Sequence, residues 1–372
     1  RQMCIRDSPR GRHYPVLMMA AMTAGAGFLP VDERAGETWQ KELEQYCCIV
    51  IKGEDLEEVL SFEEKSPEEL ESLIQQIRGG SIAYGIPTSG TTGKPKIALN
   101  TQEGLACRLE WMTALSGEGG RYLQKTAKTF DVSVWEMLLP LTDGGTEYVV
   151  PEEKKADVEY LAGKMKSERI TKVHFVPSIL QSFLRYIETE RIGFPDLKYL
   201  FSSGEELTAG TAQKAAKLFP GAQIWNLYGP AECSVDVSAY RYRSSKQAAK
   251  SVPIGRASPG TGLYVLDAGG REALPGCTGE ICIAGKQTGA GYLPGSATAK
   301  EQERFFFLNG ESAYRTGDRG RYGADGFLYY LGRMNAEVKL RGMRIDLSGI
   351  EKLTDSIPGV LGSAVCSDGK QL

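Results

Sequence analysis

Segments of strand and helix character alternate between residues 145 and 229, and this alternation restricts the possible folds more than any other feature of the chain. The strand-like runs are short and apolar, whereas the helical segments repeat their apolar residues every three or four positions. The predicted strands cover residues 146–150, 170–176, 197–201 and 222–227. One predicted helix begins after Asp157, and two more cover residues 178–188 and 208–218. Consecutive βαβ units form a parallel sheet with helices on its faces, so the sequence predicts an α/β fold.

The pattern changes near residue 240, where short strand candidates alternate with tight turns. The candidates cover residues 262–266, 279–284 and 327–331, with turns at 267–270 and 324–326. Strands joined by short turns pair in antiparallel fashion. We therefore expect an antiparallel, barrel-like subdomain appended to the parallel, helix-flanked sheet.

The composition excludes several functional classes. The chain has 372 residues, of which 41% are hydrophobic and 24% charged, as in a soluble protein of two or three domains. A net charge of −3 gives no reason to expect nucleic acid or a membrane as a partner. The apolar run at residues 16–31 is interrupted by glycine and proline and is too short to span a bilayer. Eight cysteines without a CxxC pair are typical of buried, reduced thiols, so we expect a cytoplasmic protein.

The loop at residues 87–96 combines four hydroxyl side chains, two glycines and two lysines. Glycines let backbone N–H groups converge, while hydroxyls and lysines add donors and positive charge, which together suit a polyphosphate. The loop differs from a Walker loop because Pro95 follows Lys94 where Ser or Thr is required. Surface loops of similar composition are usually only flexible connectors, but further motifs with matching chemistry follow this one.

Polar residues stand where three of the predicted parallel strands end. They occupy positions 174–177, 202–205 and 226–229. Ligands of parallel α/β sheets bind at the carboxyl ends of the strands. We therefore expect these three segments to line one shared cleft.

Further motifs follow the loop in a fixed order. They are FDVSVWE at 130–136, NLYGPAE at 226–232, GEICIAG at 279–285 with Gly291-Tyr292, YRTGD at 314–318, and the segment from Gly332-Arg333 to RGMRI at 341–345. Together they resemble the core motifs of amino-acid adenylation domains of nonribosomal peptide synthetases, within the adenylate-forming superfamily. The resemblance runs from about Tyr14 to the end. It implies a large N-terminal subdomain at 1–331, incomplete at its start, and a hinge with the beginning of a small α+β C-terminal subdomain at 332–372.

The resemblance implies that a carboxylate attacks the α-phosphorus of ATP to give an acyl adenylate and pyrophosphate. The implied catalytic residues are Thr91, Lys96 and Glu232, with Glu232 also helping to bind Mg²⁺. The implied ATP-binding residues are Thr88, Ser89, Gly90, Thr92, Gly93, Gly204, Asn226, Tyr228, Gly229, Asp318 and Arg333. In this scheme Tyr228 stacks on adenine, Asn226 binds its exocyclic amine, and Asp318 accepts both ribose hydroxyls.

The resemblance also assigns the amino-acid pocket. Its lining would be Asp131, Val132, Trp135, His174, Phe201, Ser203, Leu227, Val235 and Asp236. Asp131 would pair with the substrate ammonium, although an Asp at a helix start is also a common N-terminal cap. The set is similar to the pattern of serine-activating domains, because the aromatic residues shrink the cavity while polar side chains remain for a hydroxyl. The activated serine would then pass to a phosphopantetheine thiol on a peptidyl carrier protein or domain.

Several positions depart from the family pattern. Ala231 replaces a usual Thr, Asn335 a usual hinge Asp and Ile97 a common Gly, while an Arg is missing near Gly291. The C-terminal catalytic Lys would lie beyond Leu372, and residues 1–9 fit no pattern and are expected to be non-native. We therefore expect a fragment of a longer synthetase, with weak activity alone. The alternatives are an acyl- or aryl-CoA ligase, which Asp131 disfavours, and a catalytically incomplete nucleotide-binding module.

Overall fold

The computed structural model describes residues 2–6, 13–32, 36–51, 66–88, 95–243, 251–334, 337–340 and 343–347, with single positions at 350, 354, 357, 360 and 365. The strands are β1 Gln2–Arg6, β2 Gly27–Val31, β3 Ile49–Ile51, β4 Ile82–Thr88, β5 Lys96–Thr101, β6 Arg121–Gln124, β7 Thr146–Val149, β8 Lys172–Phe175, β9 Tyr199–Ser202, β10 Gln223–Tyr228, β11 Ser238–Arg241, β12 Arg256–Ala257, β13 Thr261–Leu266, β14 Gly279–Gly285, β15 Gly291–Tyr292, β16 Phe305–Leu308, β17 Glu311–Tyr322, β18 Leu328–Arg333, β19 Glu337–Leu340 and β20 Met343–Asp346. The helices are α1 His13–Thr23, α2 Glu37–Glu44, α3 Pro67–Gln75, α4 Gln102–Ser116, α5 Val132–Asp143, α6 Val158–Ser167, α7 Pro177–Thr189, α8 Ala209–Leu218 and α9 Ala299–Gln302.

The strands of the predicted βαβ series belong to a seven-stranded sheet with the order β12-β11-β10-β9-β8-β6-β7, in which β7 is an edge strand. The five strands from β10 to β7 pair in parallel, which confirms the α/β prediction. The strand β6 was not predicted, and it lies between β7 and β8. Consecutive strands of the series are therefore not all neighbours in the sheet.

Local signals explain where the helices of this sheet begin. The Asp157 side chain accepts a 3.0 Å hydrogen bond from the Tyr160 N–H and caps α6, as predicted. Thr208 caps α8 in the same way through the Thr211 N–H. Such caps satisfy backbone donors that the first turn of a helix cannot pair internally. The apolar positions Leu161 and Met165 then face a core shared with β8 and β9.

A second sheet holds the N-terminal part of the chain and has the order β15-β5-β4-β2-β1-β3. The strands β4 and β5 are an antiparallel pair that flanks the glycine-rich loop, with Thr88 opposite Lys96. The short strand β15 adds to β5 at the edge of the sheet through Gly291 and Tyr292. This pairing ties a motif from the C-terminal half of the chain to the base of the loop.

The predicted barrel-like subdomain is a five-stranded antiparallel sheet that curves as a half-barrel. The long strand β17 is its centre and pairs with β14, β16 and β18, while β13 adds beyond β14. The strands β19 and β20 form a separate two-stranded sheet. The boundary at residues 331 and 332 stays a prediction, and Asn335 lies outside the described residues.

The cysteines only partly match the predicted buried thiols. Cys233 and Cys282 are buried and free, and burial raises the pKa of the Cys282 thiol to about 12. Cys48 and Cys277 are exposed, however, and Cys47 is disulfide-bonded, so the prediction is wrong for these three. Among the described residues, no helix combines the length and the apolar character that crossing a bilayer requires.

Candidate active site

Asp131 lies at the start of α5 and is buried there. Its carboxylate accepts a 2.8 Å hydrogen bond from the Val132 N–H, so it caps the helix as one of the two predicted interpretations requires. A carboxylate at this position also gains from the positive end of the helix dipole. Val132 and Trp135 follow within one turn and are both buried, so the three side chains lie close together in the core.

Trp135 brings the predicted pocket residues of the neighbouring strands together. Its ring contacts His174 at 6.0 Å and Phe201 at 5.8 Å, both edge to face. His174 and Phe201 are directly opposite each other on the parallel strands β8 and β9. Ser203 follows β9, and its Oγ lies 3.0 Å from His174 Nε2. The helix α5 and the strands β8 and β9 thus meet around the indole ring of Trp135.

His174 is an uncharged polar group inside this wall. Burial lowers its pKa well below the usual value of 6.5, and the nearby charges of Lys125 and Arg108 lower it further. The other ring nitrogen, Nδ1, lies 3.7 Å from Glu136 Oε1. A neutral imidazole carries one donor and one acceptor, so His174 Nε2 can act as either in its contact with the Ser203 hydroxyl.

The segment 226–236 carries the remaining pocket residues. Leu227 and Val235 belong to the same apolar cluster as Trp135 and Phe201. The turn between them is tight, because a Cβ added at Gly229 would lie 2.1 Å from the Val235 carbonyl oxygen. Only glycine permits such an approach of two backbones. The chain folds back at Gly229 and returns Val235 to this apolar cluster, with the buried Asp236 directly after it.

Arg108 is a member of this cluster that sequence reasoning missed. It lies on the buried face of α4 and is fully buried, and its Nη2 donates a 2.7 Å hydrogen bond to Asp236 Oδ2. Asp131 is close enough to act electrostatically on the same guanidinium. The sequence signal was available, since Arg108 falls at helical spacing with the buried residues Leu105 and Met112. A cation on the apolar face of a helix requires a buried carboxylate as its partner.

The predicted nucleotide residues lie where the seven-stranded sheet meets the half-barrel. The Tyr228 hydroxyl donates a 2.6 Å hydrogen bond to Asp318 Oδ2, and Arg333 Nη1 donates one of the same length to Oδ1. Burial and the charge of Asp318 raise the pKa of Tyr228 well above its usual value. The Asn226 amide nitrogen donates to the Pro253 carbonyl at 2.8 Å, which leaves the amide oxygen as the group that could accept from an adenine amine. Gly204 follows β9 with a φ of 88°, a conformation that favours glycine.

The phosphate side is described only at the base of the loop. Ser89, Gly90, Thr91, Thr92 and Gly93 lie outside the described residues. The Thr88 hydroxyl donates to the Lys96 carbonyl at 3.3 Å and closes the base. Lys96 is buried, with its Nζ 3.6 Å from Glu301 and 4.8 Å from the centre of the Tyr292 ring. Sequence reasoning missed Glu301, whose Oε2 also accepts from the backbone N–H and the hydroxyl of Thr298 at the start of α9.

Glu232 lies in the turn after β10 and is buried. The Tyr292 hydroxyl donates a 2.6 Å hydrogen bond to Glu232 Oε1 and lies 3.1 Å from the Tyr314 hydroxyl. The described residues contain no group of three or more His, Cys, Asp or Glu that could hold a metal alone. One carboxylate nevertheless fits Mg²⁺, which is usually held by one or two carboxylates and by substrate phosphates.

Eleven residues, 226–236, therefore connect the two halves of the site. Asn226, Tyr228 and Glu232 belong to the predicted nucleotide side, whereas Leu227 and Asp236 belong to the amino-acid side. Asn100 on β5 holds the turn of this segment by donating to the Ala231 carbonyl and accepting from the Ser234 N–H. Two ligands bound to these residues would lie next to each other.

Comparison with known proteins shows the family of the chain. The family described as AMP-binding enzyme matches residues 33–293. Phosphinothricin tripeptide synthetase PhsB of Streptomyces viridochromogenes is 35% identical over 360 residues, covering 90% of this chain and 29% of that protein. The chain thus spans less than a third of that synthetase.

Solved structures show the same fold. The Vibrio cholerae adenylation domain AlmE, in complex with glycyl-adenosine-5'-phosphate, has a TM-score of 0.85 at 24% identity, covering 100% of this chain and 78% of that one. NpsA-ThdA from Klebsiella oxytoca, an artificially fused adenylation-PCP di-domain, has a TM-score of 0.78 at 25% identity, covering 97% of this chain and 74% of that one. The fold is that of solved adenylation domains. The chain belongs to the AMP-binding enzyme family, and most of its length is similar to part of a nonribosomal peptide synthetase.

Proposed function

We propose that this adenylation domain activates L-serine as seryl-AMP, with release of pyrophosphate from ATP. The observation that carries the proposal is the hydrogen-bonded His174–Ser203 pair beside the Trp135 ring, in the same buried wall as Asp131. In this proposal the substrate ammonium lies beside the buried Asp131 carboxylate, at the start of α5. We assign the His174–Ser203 pair to the side chain of the substrate.

The choice of serine rests on how a buried polar pair treats different side chains. A site that hydrogen-bonds a substrate hydroxyl rejects the analogue without it, because its own polar groups lose their partner. Phe201, Leu227 and Trp135 are large, buried and packed together, which limits the cavity to a small side chain. Alanine fits by size but leaves the His174–Ser203 pair without its ligand. Larger amino acids would collide with the aromatic wall.

ATP would lie along Tyr228, Asp318 and the base of the glycine-rich loop. Tyr228 offers a ring for adenine, and Asp318 offers a carboxylate for the ribose hydroxyls, held in place by Arg333. Lys96 would place positive charge beside the phosphates. Mg²⁺, bound by Glu232 and the phosphates, would neutralise the charge that develops on pyrophosphate. The chain's own task is to orient the serine carboxylate toward the α-phosphorus.

The partner of the reaction would be a carrier protein. NpsA-ThdA joins an adenylation domain to a PCP domain, and we propose that this domain likewise passes serine to a phosphopantetheine thiol on a peptidyl carrier protein or domain, in the cytoplasm. The large subdomain would end near residue 331, with the hinge after it. Neither nucleic acid nor a membrane is part of this scheme.

The second candidate is an acyl- or aryl-CoA ligase. It would use the same phosphate loop, but a carboxylic acid without an amine makes no use of the negative charge of Asp131. The third candidate, a nucleotide-binding module without catalysis, is favoured only by Ala231 in place of the family's usual Thr. The intact Tyr228–Asp318–Arg333 cluster argues against it.

ATP–pyrophosphate exchange distinguishes the three candidates. The complete protein that carries this sequence is tested with serine, alanine, threonine, a fatty acid and an aryl acid. Serine-dependent exchange supports the proposal, exchange with only the fatty or aryl acid supports the ligase, and no exchange with any acid supports the third candidate. His174→Leu should shift the preference from serine toward alanine, and an unchanged preference would count against the serine assignment.

A further inference from the structure

Arg108 and Asp236 form a buried ion pair in the wall of the amino-acid pocket. The guanidinium is fully buried, and the 2.7 Å hydrogen bond to Asp236 Oδ2 crosses from α4 to the segment after β10. Burial lowers the pKa of Arg108, while the adjacent carboxylate opposes that shift. Truncating one member of such a pair is strongly destabilising, because the remaining charge stays buried alone.

The surroundings hold the guanidinium in one position. Its Cζ lies 5.2 Å from the Trp111 ring and 5.4 Å from the Trp135 ring, so it contacts the side chain that organises the pocket. Its Nε and Nη1 form no hydrogen bond to any residue that the structure describes. A guanidinium with donors left over is a poor choice for packing alone.

Other charged groups near the pair make the positive charge of Arg108 important. Asp131 and Tyr84 act electrostatically on Arg108, and Arg108 in turn acts on His174. Without Arg108 the wall would hold two carboxylates, Asp131 and Asp236, and only one substrate ammonium. The second carboxylate would then attract a second cation, such as a basic side chain. With Arg108 present, that position is already filled.

We infer that Arg108 is a specificity-determining residue that fills the cation position beside Asp236, so that the pocket accepts a neutral hydroxyl side chain and rejects a cationic one. Arg108 acts through Asp236, and is in that sense a positioning residue. The inference rests on the proposed activation of serine. It differs from that proposal because it concerns which side chains are excluded.

The experiment compares L-serine with L-2,3-diaminopropionate, which have the same length and differ in a hydroxyl against an ammonium. ATP–pyrophosphate exchange is measured with both, in the complete wild-type protein and in Arg108→Met, a variant of similar side-chain length without charge. We expect the diaminopropionate-to-serine ratio of kcat/KM to rise at least about tenfold in Arg108→Met. The double variant Arg108→Met/Asp236→Asn should return the ratio to within about threefold of wild type, because no carboxylate is then left unpaired.

Two controls separate this role from a structural one. Arg108→Lys keeps the charge and should keep the wild-type ratio, whereas a general loss of packing would lower kcat/KM for all substrates equally. If Arg108→Met does not fold, Arg108→Gln replaces it, because its amide is neutral and can still donate a hydrogen bond to Asp236. The same rise in the ratio is expected in that variant.

The outcomes distinguish the inference from the proposed function. Serine-dependent exchange in the wild type with an unchanged ratio in folded Arg108→Met overturns the role of Arg108 and leaves serine activation standing. An unchanged ratio in folded Arg108→Gln has the same meaning. Absence of serine-dependent exchange in the wild type overturns both.

Discussion

The Tyr228 hydroxyl donates a 2.6 Å hydrogen bond to Asp318, and this bond joins the seven-stranded sheet to the half-barrel. Tyr228 is the last residue of β10, and Asp318 lies in the long strand β17. Both residues are buried. The candidate nucleotide site therefore lies at the junction of two sheets and combines residues that are distant in sequence.

Tyr228→Phe should keep a ring for adenine but remove this junction bond. A hydrogen bond from a neutral donor to a buried charged acceptor contributes about 1.5–3 kcal/mol, so we expect a loss of that size in the free energy of unfolding. The KM for ATP should rise because Asp318 loses one of its two positioning partners. Urea unfolding and exchange kinetics measure the two effects. A variant as stable as wild type, with the same KM, would show that the bond does not position Asp318.

Asp131 is both a helix cap and the proposed ammonium partner, and two substitutions separate these roles. Asn caps helices about as well as Asp, whereas Ala does not cap and costs about 1 kcal/mol of stability. Asp131→Asn should therefore keep the stability of wild type, and both variants should lose at least about 100-fold of serine-dependent exchange, because the ammonium loses its counter-charge. Exchange that survives in Asp131→Asn would leave the residue with only its capping role.

His174 should make the stability of the domain depend on pH. Its native pKa is depressed by burial, whereas in the unfolded chain it is about 6.5. The unfolded state thus binds more protons below pH 6.5, so the contribution of His174 is complete above that value and is lost as the pH falls toward the native pKa. The slope from this one group reaches at most about 1.4 kcal/mol per pH unit.

The test compares wild type with His174→Gln by urea unfolding at pH 7.5, 6.5 and 5.5. Contributions from carboxylates elsewhere cancel in the difference between the two proteins. The wild type should lose more stability than the variant between pH 6.5 and 5.5. Parallel pH profiles would mean that His174 is not a buried neutral group.

Lys96 and Glu301 allow the proposed phosphate contact to be tested with a matched control. Lys96→Met removes the charge and should weaken binding of pyrophosphate and ATP at least about tenfold. Glu301→Gln removes the neighbouring charge at 3.6 Å, while Gln can still form the capping box with Thr298. This control should therefore bind ATP nearly as wild type does. Titration calorimetry measures both, and wild-type affinity in Lys96→Met would contradict a phosphate role.

The parallel strands and their helices could be predicted because each one is a local pattern. Asp157 and Thr208 precede their helices as caps, and the strands β8, β9 and β10 are short apolar runs. The position of β6 between β7 and β8 could not be predicted, because no local signal reports which strands become neighbours. The pairing of Gly291 and Tyr292 with β5 is long-range in the same sense.

The site shows the same division between local and long-range information. Motifs identified Asp131, His174 and Ser203, but the ion partners Arg108 and Glu301 lie outside any motif. Each is a charged residue whose importance depends on a partner distant in sequence, at Asp236 and Lys96 respectively. Helical spacing marked Arg108 as buried, but only the fold shows which carboxylate it contacts.

The central claim is that Asp131 and the His174–Ser203 pair select serine beside bound ATP, and ATP–pyrophosphate exchange with serine and alanine in the complete protein measures this most directly. We expect kcat/KM for serine to exceed that for alanine at least about 100-fold, because alanine leaves a buried polar pair without its partner. Equal values for the two amino acids, or exchange that depends on neither, would contradict the account.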